Sequence, residues 1–345
     1  MRVMVTGGSG FIGSSLVRGL TQTGHDVLNI DALTYAAIEA SLSDLEGKSN
    51  YALLKADIRD RSAIEEALTD FSPNAVMHLA AESHVDRSID NPNDFISTNV
   101  MGTTNLLDCS KNWFDRQADR IRKDFKFINI STDEVYGSLE SQGSFSENSP
   151  LKPNSPYAAS KASADLFARA WGKTWHFPVI TCRSSNNFGP RQFPEKFIPR
   201  TIISAIRGKP IEVYGTGKNI RDWIYVEDNV AALVNVLSNG RPGGVYNIGG
   251  GNERQNLELA ENICEIYDLV SRTEEKSTDL IKFVRDRPGH DFRYSVDTSY
   301  IKTELSWEPK TQFLEALRST VKWYIENESW WAPLLKNVYD GRRLG

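Results

Sequence analysis

Short apolar runs alternate with stretches of helical period along the first half of the chain. Each apolar run has the length of a strand, and apolar residues then recur every three or four positions, which is typical of a helix packed on a sheet. The predicted strands are Arg2–Thr6, Asp26–Ile30, Tyr51–Lys55, Ala75–Leu79, Phe125–Ile130 and Val179–Arg183. The first predicted helix follows Gly13 and ends at about Thr23. The other predicted helices are Arg61–Phe71, Asp94–Asn112 and Tyr157–Thr174. This alternation predicts an α/β fold with a doubly wound parallel sheet.

The alternation loosens after about Cys182, where prolines and a glycine-rich run separate shorter elements. We therefore expect a first domain over residues 1–182, a smaller mixed α/β domain over residues 183–328 and a peripheral C-terminal tail over residues 329–345. Segments after about residue 221 are expected to cross back to the first domain. Leu139–Pro156, rich in Ser, Pro and Asn, is a predicted surface loop and a candidate lid.

Composition and charge narrow the possible partners. The sequence has 345 residues, of which 40% are hydrophobic and 25% charged, with a net charge of −5. This balance favours neither nucleic acid nor an anionic membrane as a partner. Because the first strand begins at Arg2 and no apolar run has the length of a membrane span, we expect no signal peptide, no membrane anchor and a cytoplasmic location.

Cysteine and histidine spacing argues against disulfides and metal sites. The three cysteines, Cys109, Cys182 and Cys264, lie far apart, and we expect buried free thiols. The five histidines show no paired-ligand spacing, so no metal is expected.

A glycine-rich turn follows the first strand. Gly7, Gly10 and Gly13 lie between this strand and the first helix, where small residues let a backbone approach a pyrophosphate and a helix N-terminus favours its charge. The spacing is GxxGxxG, and a plain tight turn is the weaker interpretation. Asp31 ends the second strand, eighteen positions after Gly13. A carboxylate there accepts hydrogen bonds from both ribose hydroxyls and repels a 2′-phosphate, which favours NAD over NADP in a Rossmann-like domain.

Two further segments are candidate cofactor contacts. Asp57-Ile58 could flank an adenine, although a helix-capping Asp is a competing interpretation. Leu79-Ala80-Ala81 ends the fourth strand with small residues that a dinucleotide could approach.

Tyr157 and Lys161 are candidate reacting groups. Ser155 and Pro156 are typical of a helix start, which puts Tyr157 and Lys161 four positions apart on one helical face. Phenolate near neutral pH requires a shift of about three units, roughly 4 kcal/mol. One ammonium at about 5 Å supplies roughly 3 kcal/mol. We therefore hypothesise that the positive nicotinamide ring of bound NAD⁺ supplies the remainder.

Thr132, Asp133 and Glu134 follow the predicted fifth strand, at the edge where doubly wound sheets bind ligands. Adjacent side chains of an extended chain diverge, so both acids serve one substrate only if the backbone turns, and Gly137 favours a turn there. The competing interpretation is that both acids lie in a solvated turn without a function. This interpretation is weaker because the loop leads into Tyr157 and Lys161.

The chain closely resembles the extended short-chain dehydrogenase/reductase superfamily, and within it the dTDP-glucose 4,6-dehydratases, from Met1 to about Asn327. The resemblance rests on TGGSGFIGS, DALTYA, HLAAESHVDRSI, ISTDEVYG, SPYAASKASAD, SNNFGPRQFPEKFIP, IRDWIYVEDN, YNIGG and DRPGHD. The Asp133-Glu134 pair matters most, because epimerases of the superfamily usually carry other residues there. Two departures occur: Ala32 stands where the family usually has Lys, and Ala37-Ile38-Glu39 replaces Gly-Asn-Leu.

The resemblance implies a mechanism and a set of contacts. Tyr157, assisted by Lys161 and Thr132, would take the sugar C4 hydroxyl proton while hydride passes to NAD⁺; Glu134 would take the C5 proton and Asp133 would protonate the departing C6 hydroxyl. Hydride would return to C6. The implied cofactor contacts are Phe11, Ile12, Asp31, Thr34, Asp57, Ile58, Leu79, Ala80, Ala81, Thr98 and Asn187. The implied substrate contacts are Ser83, Thr132, Asn186, Glu195, Lys196, Arg221, Asn256, Arg287 and His290.

Alternatives remain open at this point. A dehydratase of UDP- or CDP-glucose and a UDP-sugar 4-epimerase are the nearest ones, and a non-catalytic NAD-binding scaffold is a third. Since family members are typically homodimers, the resemblance also implies a homodimer with a helical interface.

Overall fold

A seven-stranded parallel sheet forms the centre of the larger lobe in the computed structural model, which describes residues 1–337. Its order is β10-β6-β5-β4-β1-β2-β3. The strands are β1 (Arg2–Thr6), β2 (Asp26–Asp31), β3 (Tyr51–Lys55), β4 (Ala75–His78), β5 (Lys126–Thr132), β6 (Val179–Ser184) and β10 (Val245–Ile248). The order reverses between β1 and β4, and doubly wound sheets bind ligands at such a switch point.

Helices cover both faces of this sheet, as the sequence predicted. Along β1, Val3 and Val5 belong to one core cluster and Met4 to the other, because successive side chains of a strand point to opposite faces. The helices of this lobe are α1 (Phe11–Gln22), α2 (Arg61–Phe71), α3 (Val85–Asp90), α4 (Pro92–Phe95), α5 (Thr103–Asp115), α6 (Asp119–Arg122), α7 (Pro156–Trp175), α9 (Val226–Asn239) and α11 (Ser299–Leu305).

The predicted helix over Asp94–Asn112 has a more complex form. A seven-residue π-helix, Ile96–Gly102, separates α4 from α5. Within it Asn99 donates to the Glu82 carbonyl and to Ser160 Oγ, at 2.9 and 2.8 Å. A wider helical turn here brings the π-helix to the edge of the cleft described below, a feature that apolar periodicity does not reveal.

A smaller lobe packs at the carboxyl edge of the large sheet. It contains a three-stranded sheet ordered β11-β9-β7 and a two-stranded sheet ordered β12-β8. Its strands are β7 (Asn186–Phe188), β8 (Ile211–Tyr214), β9 (Ile220–Tyr225), β11 (Glu253–Gln255) and β12 (Ile281–Val284). Its helices are α8 (Phe197–Ile206), α10 (Asn256–Ser271), α12 (Phe313–Glu326) and α13 (Glu328–Asn337). Short 3-10 helices lie at Glu39–Leu45, Asp133–Tyr136 and Ser277–Leu280.

The chain crosses between the lobes after β9. Helix α9 packs on α1, and β10 pairs with β6 at the end of the large sheet. Both elements follow residue 221, where the sequence suggested a return. The C-terminal segment is integrated in the small lobe, since Trp331 is fully buried and donates to the Tyr324 carbonyl at 2.7 Å. The part of the expected tail after residue 337 lies outside the described residues. Across residues 1–337, none of the helices combines the length and the apolar character needed to cross a bilayer.

Candidate active site

The glycine turn between β1 and α1 lies where the order of the sheet reverses. Gly7 has φ +72°, and a Cβ there would come within 2.6 Å of the Ala80 backbone. A Cβ on Gly13 would come within 2.1 Å of the Gly7 carbonyl oxygen. Gly10 is the N-cap of α1. Larger residues at Gly7 and Gly13 would close this cradle, which presents backbone N–H groups and a helix N-terminus to an anionic ligand.

Asp31 ends β2 beside this turn. Its two carboxylate oxygens accept from the backbone N–H groups of Ser9 and Leu33, each at 2.9 Å. Burial raises the pKa of Asp31, and these two hydrogen bonds oppose the rise. Each oxygen keeps a second lone pair, so the carboxylate can both fix the turn and accept from ribose hydroxyls.

Every residue expected to contact the cofactor lines one cleft across the carboxyl edge of the sheet. They are Gly7, Gly10, Phe11, Ile12, Gly13, Asp31, Thr34, Asp57, Ile58, Leu79, Ala80, Ala81, Thr98, Tyr157, Lys161 and Asn187. The glycine cradle and the buried Asp31 fit a dinucleotide with a free ribose 2′-hydroxyl. Of the departures from the family pattern, Ala32 and Ala37 line this same cleft, whereas Ile38 packs on Phe193.

Asp57 does not cap a helix, so that alternative is wrong. The N-cap of α2 is Asp60, whose carboxylate accepts from Ala63 N at 3.1 Å. Asp57 instead accepts from Nε and Nη2 of Arg59, at 2.9 and 2.6 Å, and this partner lowers the pKa of Asp57.

Helix α7 carries the Tyr-Lys pair into the cleft. Ser155 caps the helix by accepting from Ala158 N at 3.1 Å, and Pro156 is the first helical residue. Lys161 donates from Nζ to the Ile130 carbonyl of β5 at 2.7 Å. Burial lowers the pKa of Lys161 to about 8, and the charge of Asp165 opposes this shift.

Tyr157 stays a neutral phenol in the chain alone. Burial raises its pKa first, and the charges of Glu134 and Asp133 add to the rise, whereas a hydrogen bond with Thr132 lowers it. Formation of the phenolate therefore requires a further positive charge in the cleft. This direction agrees with the shortfall expected when Lys161 acts alone.

The acid pair lies on a tight turn. Thr132 is the last residue of β5, two residues beyond the predicted end of that strand, and Asp133–Tyr136 forms a 3-10 turn that Gly137 ends at φ +87°. Thr132 Oγ1 donates to Asp133 Oδ1 at 3.2 Å and accepts from Glu134 N at 3.3 Å. The turn that the sequence required is present, so both carboxyl groups line the cofactor cleft.

The two carboxyl groups have different electrostatic surroundings. Burial raises the pKa of Asp133 well above its usual range, and the charges of Glu134 and Asp222 add to the rise. Burial also raises the pKa of Glu134, but Arg287 and Arg221 oppose it. Asp133 is therefore suited to hold a proton while Glu134 ionises, which gives one acid and one base side by side.

A second cleft opens between the lobes and runs into the first, and both are lined by Ser83, Glu134, Asn186, Asn187, Gln192, Glu195 and Lys196. The residues expected to contact substrate line it: Ser83, Asn186, Glu195, Lys196, Arg221, Asn256, Arg287 and His290. Thr132, which was also expected to contact substrate, lines the cofactor cleft instead. Of the acid pair, Glu134 lies at the junction of the two clefts and Asp133 lies beside it on the cofactor side.

Cations converge in the second cleft. Arg221 is held by the carbonyls of Ile220 and Asp291, at 2.7 and 3.0 Å. Arg287 lies 3.5 Å from Asp86, and its buried Nε has no partner within the described residues. Such guanidinium groups are suited to a diphosphate.

His290 and Lys196 line the same cleft as these arginines. Burial, followed by the charge of Arg287, lowers the pKa of His290 to about 4, so its ring is neutral near pH 7. Lys196 donates to the Ser83 carbonyl at 2.8 Å. His290 contacts Asp286 through Nδ1 and Lys196 donates to Ser83, and each side chain has a further N–H or ring nitrogen that can bind a ligand.

Sequence reasoning missed several residues of this site. Tyr294 and Asp86 line the substrate cleft, and Tyr35 donates to Glu195 at 3.2 Å. Asp86 lies inside the quoted HVDRSI motif, which is a signal that could have identified it. Tyr294 lies three positions after the quoted DRPGHD motif but 160 positions after Glu134, so only the fold brings Tyr294 and Glu134 together.

Comparison with known proteins places the chain in a family. The profile of the GDP-mannose 4,6 dehydratase family matches residues 4–320. A probable dTDP-glucose 4,6-dehydratase of Sinorhizobium fredii is 51% identical, and the alignment covers all of this chain and 99% of the relative. A dTDP-glucose 4,6-dehydratase of Escherichia coli is 46% identical with the same coverage. The crystal structure of the dTDP-glucose 4,6-dehydratase DesIV from Streptomyces venezuelae, solved with NAD bound, matches with a TM-score of 0.88 and 41% identity over 97% of this chain and all of the other. The chain belongs to the GDP-mannose 4,6 dehydratase family.

Proposed function

We propose that the protein is an NAD-dependent hydro-lyase that converts dTDP-glucose to dTDP-4-keto-6-deoxyglucose and water, for deoxysugar biosynthesis. The observation that carries this proposal is the meeting of two clefts at a carboxyl pair whose members differ in proton affinity. The relatives named dTDP-glucose 4,6-dehydratase over the full chain length support the choice of substrate.

The first step is oxidation at sugar C4. Tyr157 takes the hydroxyl proton, Thr132 hydrogen-bonds the phenol, and Lys161 keeps a positive charge within the same helical turn. NAD, when bound, would supply the two-electron chemistry: it would take hydride from C4 and return it to C6, with a proton returned to C5 to complete the product. Crystal structures of relatives with NAD bound support this cofactor.

The second step is loss of water across C5 and C6. The C4 ketone makes the C5 hydrogen acidic, and Glu134 removes it as a proton. Asp133 gives its proton to the C6 oxygen, so the C–O bond breaks with water as the leaving group. Its Oδ2 is buried and has no partner within the described residues, which leaves this atom available to the substrate.

The charged side chains of the substrate cleft bind the nucleotide diphosphate in this proposal. Arg287 and Arg221 are the main candidates, and Lys196 lies in the same cleft. Asn186 and Asn256 offer amide groups for the sugar and the base. These assignments are supported by position alone.

Turnover with a panel of nucleotide sugars tests the substrate assignment. The protein with NAD is incubated with dTDP-, UDP- and CDP-glucose, and products are identified by NMR. We expect a 4-keto-6-deoxy sugar from dTDP-glucose at the highest kcat/KM, without accumulation of NADH. A galactose epimer would support the 4-epimerase alternative, and absence of any product would support the scaffold alternative.

A homodimer is part of the proposal. Leu166, Phe167 and Trp175 on α7, with Ile96 and Met101 of the adjacent π-helix, are each more than a third exposed. Exposed apolar side chains on neighbouring helices fit a second copy of the same surface. Light scattering should give a dimer for the unaltered protein and for Leu269→Asp, whose side chain is exposed on α10, and a monomer for Phe167→Asp.

We also propose a cytoplasmic location. Cys109, Cys182 and Cys264 are buried free thiols, as in proteins of reducing compartments. Fractionation of the producing cell would test this, and recovery of the enzyme outside the cytoplasm would contradict it.

A further inference from the structure

Tyr294 is a buried phenol between two carboxyl groups of the substrate cleft. Its hydroxyl lies 2.5 Å from Asp291 Oδ2 and 3.5 Å from Glu134 Oε2. Only 2% of the Tyr294 surface is exposed. The roles described so far use Glu134 but neither of these two neighbours.

The two distances decide where the single phenol proton lies. A tyrosine hydroxyl has one proton to donate, and 2.5 Å is typical of an O–H donor that faces an ionised carboxylate. Tyr294 therefore donates to Asp291. It then faces Glu134 with an oxygen lone pair, which is a hydrogen-bond acceptor.

The surroundings fix this orientation. Asp291 Oδ1 accepts from Asn154 Nδ2 at 2.6 Å, which holds that carboxylate in place. The Arg221 guanidinium lies 4.2 Å from the centre of the Tyr294 ring and donates to the Asp291 carbonyl. The ring and the carboxylate are thus held together against β9, with little freedom for the phenol to turn.

We propose that Tyr294 and Asp291 are positioning residues that strengthen Glu134 as the base for the C5 proton. When Glu134 is ionised, its carboxylate oxygen and the Tyr294 oxygen are both hydrogen-bond acceptors, and their mutual repulsion is unfavourable. Once Glu134 has taken the C5 proton, its new O–H can donate to the Tyr294 oxygen, whose own proton stays on the bond to Asp291. No further proton moves, and the product of the proton transfer is stabilised more than its reactant.

Other charges also act on Glu134 and set the background for this effect. Arg287, Arg221 and Lys196 favour its ionised form, and Asp291 favours its protonated form. Asp133 lies next to it and is faced by the same Arg221. Tyr294 is the neutral group among them, so its removal changes hydrogen bonding without changing net charge.

The inference rests on the proposed function and is tested with Tyr294→Phe, which keeps the ring and its contact with Arg221. We expect kcat to fall about tenfold, as for the loss of one hydrogen bond. The kinetic isotope effect on kcat with C5-deuterated substrate should rise, and reduced cofactor should accumulate because C4 oxidation is spared. The acid limb of the pH profile should move to lower pH, since a weaker base keeps its ionised form further into acid.

Two further variants sharpen the test. Asp291→Asn removes the charge and frees the Tyr294 proton to turn toward Glu134, so the acid limb should move further in the same direction. In a Glu134→Gln background, Tyr294→Phe should give no additional loss in the C5 step if it acts through Glu134. Asp291→Asn also keeps the inference testable if Tyr294→Phe does not fold.

Tyr246→Phe is the matched control, because this fully buried phenol contacts Arg241 N in the core of the large lobe. It should leave the acid limb and the isotope effect unchanged. An unaltered acid limb and isotope effect in both Tyr294→Phe and Asp291→Asn would overturn the inference, as would a loss of C4 oxidation. Failure of the unaltered enzyme to convert dTDP-glucose would instead refute the proposed function.

Discussion

The cofactor cleft and the substrate cleft, which join beside Asp133 and Glu134, are lined by different types of residue. Around its glycine turn, the cofactor cleft is formed by small side chains and backbone at the ends of β1 and β4, with Asp31 as a buried carboxylate. The substrate cleft is lined by charged groups from both lobes, among them Asp86, Arg221 and Arg287, which do not line the cofactor cleft. The first cleft therefore selects mainly by shape and the second mainly by charge.

This difference shows why the acid pair lies where it does. Arg221 acts on both carboxyl groups, but burial and the charges of Glu134 and Asp222 drive Asp133 toward its neutral form, whereas Arg287 also favours the ionised form of Glu134. The same two residue types in a uniform environment would titrate alike. Their position at the boundary separates them into an acid and a base.

The largest effect is expected at this boundary. Asp133→Asn and Glu134→Gln should each slow dehydration about 10²- to 10⁴-fold, as for loss of a general acid or base. C4 oxidation should remain measurable in both, because Tyr157 is intact. Tyr157→Phe, by contrast, should abolish hydride transfer. Stopped-flow absorbance of reduced cofactor separates the steps, and loss of oxidation with intact elimination in Asp133→Asn would show the roles to be wrong.

Gly13→Ala should weaken cofactor binding by a steric effect on the glycine turn. The added Cβ would lie 2.1 Å from the Gly7 carbonyl oxygen, so the turn must shift. We expect NAD affinity to fall about 10- to 100-fold, in line with the cost of overpacking. In Gly19→Ala the new Cβ would meet Val230 at 3.5 Å, an ordinary contact, and affinity should be unchanged. Calorimetric titration with NAD measures both, and equal affinities would contradict the steric account.

Arg287→Lys should weaken binding of the nucleotide sugar, because the positive charge stays but its geometry changes. Lysine keeps the charge but loses the planar fork, so KM for the nucleotide sugar should rise about tenfold with a small change in kcat. NAD affinity should stay the same, because Arg287 lines only the substrate cleft. A parallel loss of NAD affinity would show that the two clefts are not independent.

The smallest effect is a pH dependence carried by Lys161. Its pKa of about 8 means that the ammonium is present below that pH and lost above it, so kcat should decline as pH rises through about 8. Lys161→Arg should move this alkaline limb upward, because arginine stays protonated. A limb that does not move would belong to another group, and Asp133 is the first candidate.

The cofactor half of the molecule was largely predictable from the sequence, for a physical reason. Gly7, Gly10, Gly13 and Asp31 act through local backbone geometry at the ends of two successive strands, so spacing carries the information. The Tyr157–Lys161 pair is likewise local, since one helical turn determines it.

The substrate half was predictable only through family resemblance. Arg221 and Arg287 are far apart in sequence, and no periodicity brings them together. Asp291 ends the quoted DRPGHD motif and Tyr294 follows it closely, but the sequence assigned neither a role, because that role depends on a contact with Glu134 across the lobes. The wide turn at Ile96–Gly102 was also missed, since π-helical and α-helical segments share nearly the same apolar spacing.

The most direct test of the account follows the hydrogen on sugar C4. dTDP-glucose carrying deuterium at C4 is mixed with unlabelled substrate of a different carbon mass, and the product is analysed by mass spectrometry and NMR. We expect deuterium at C6 of the same sugar molecule that carried it at C4. Deuterium that stays at C4, washes into solvent or crosses to the other substrate would contradict it.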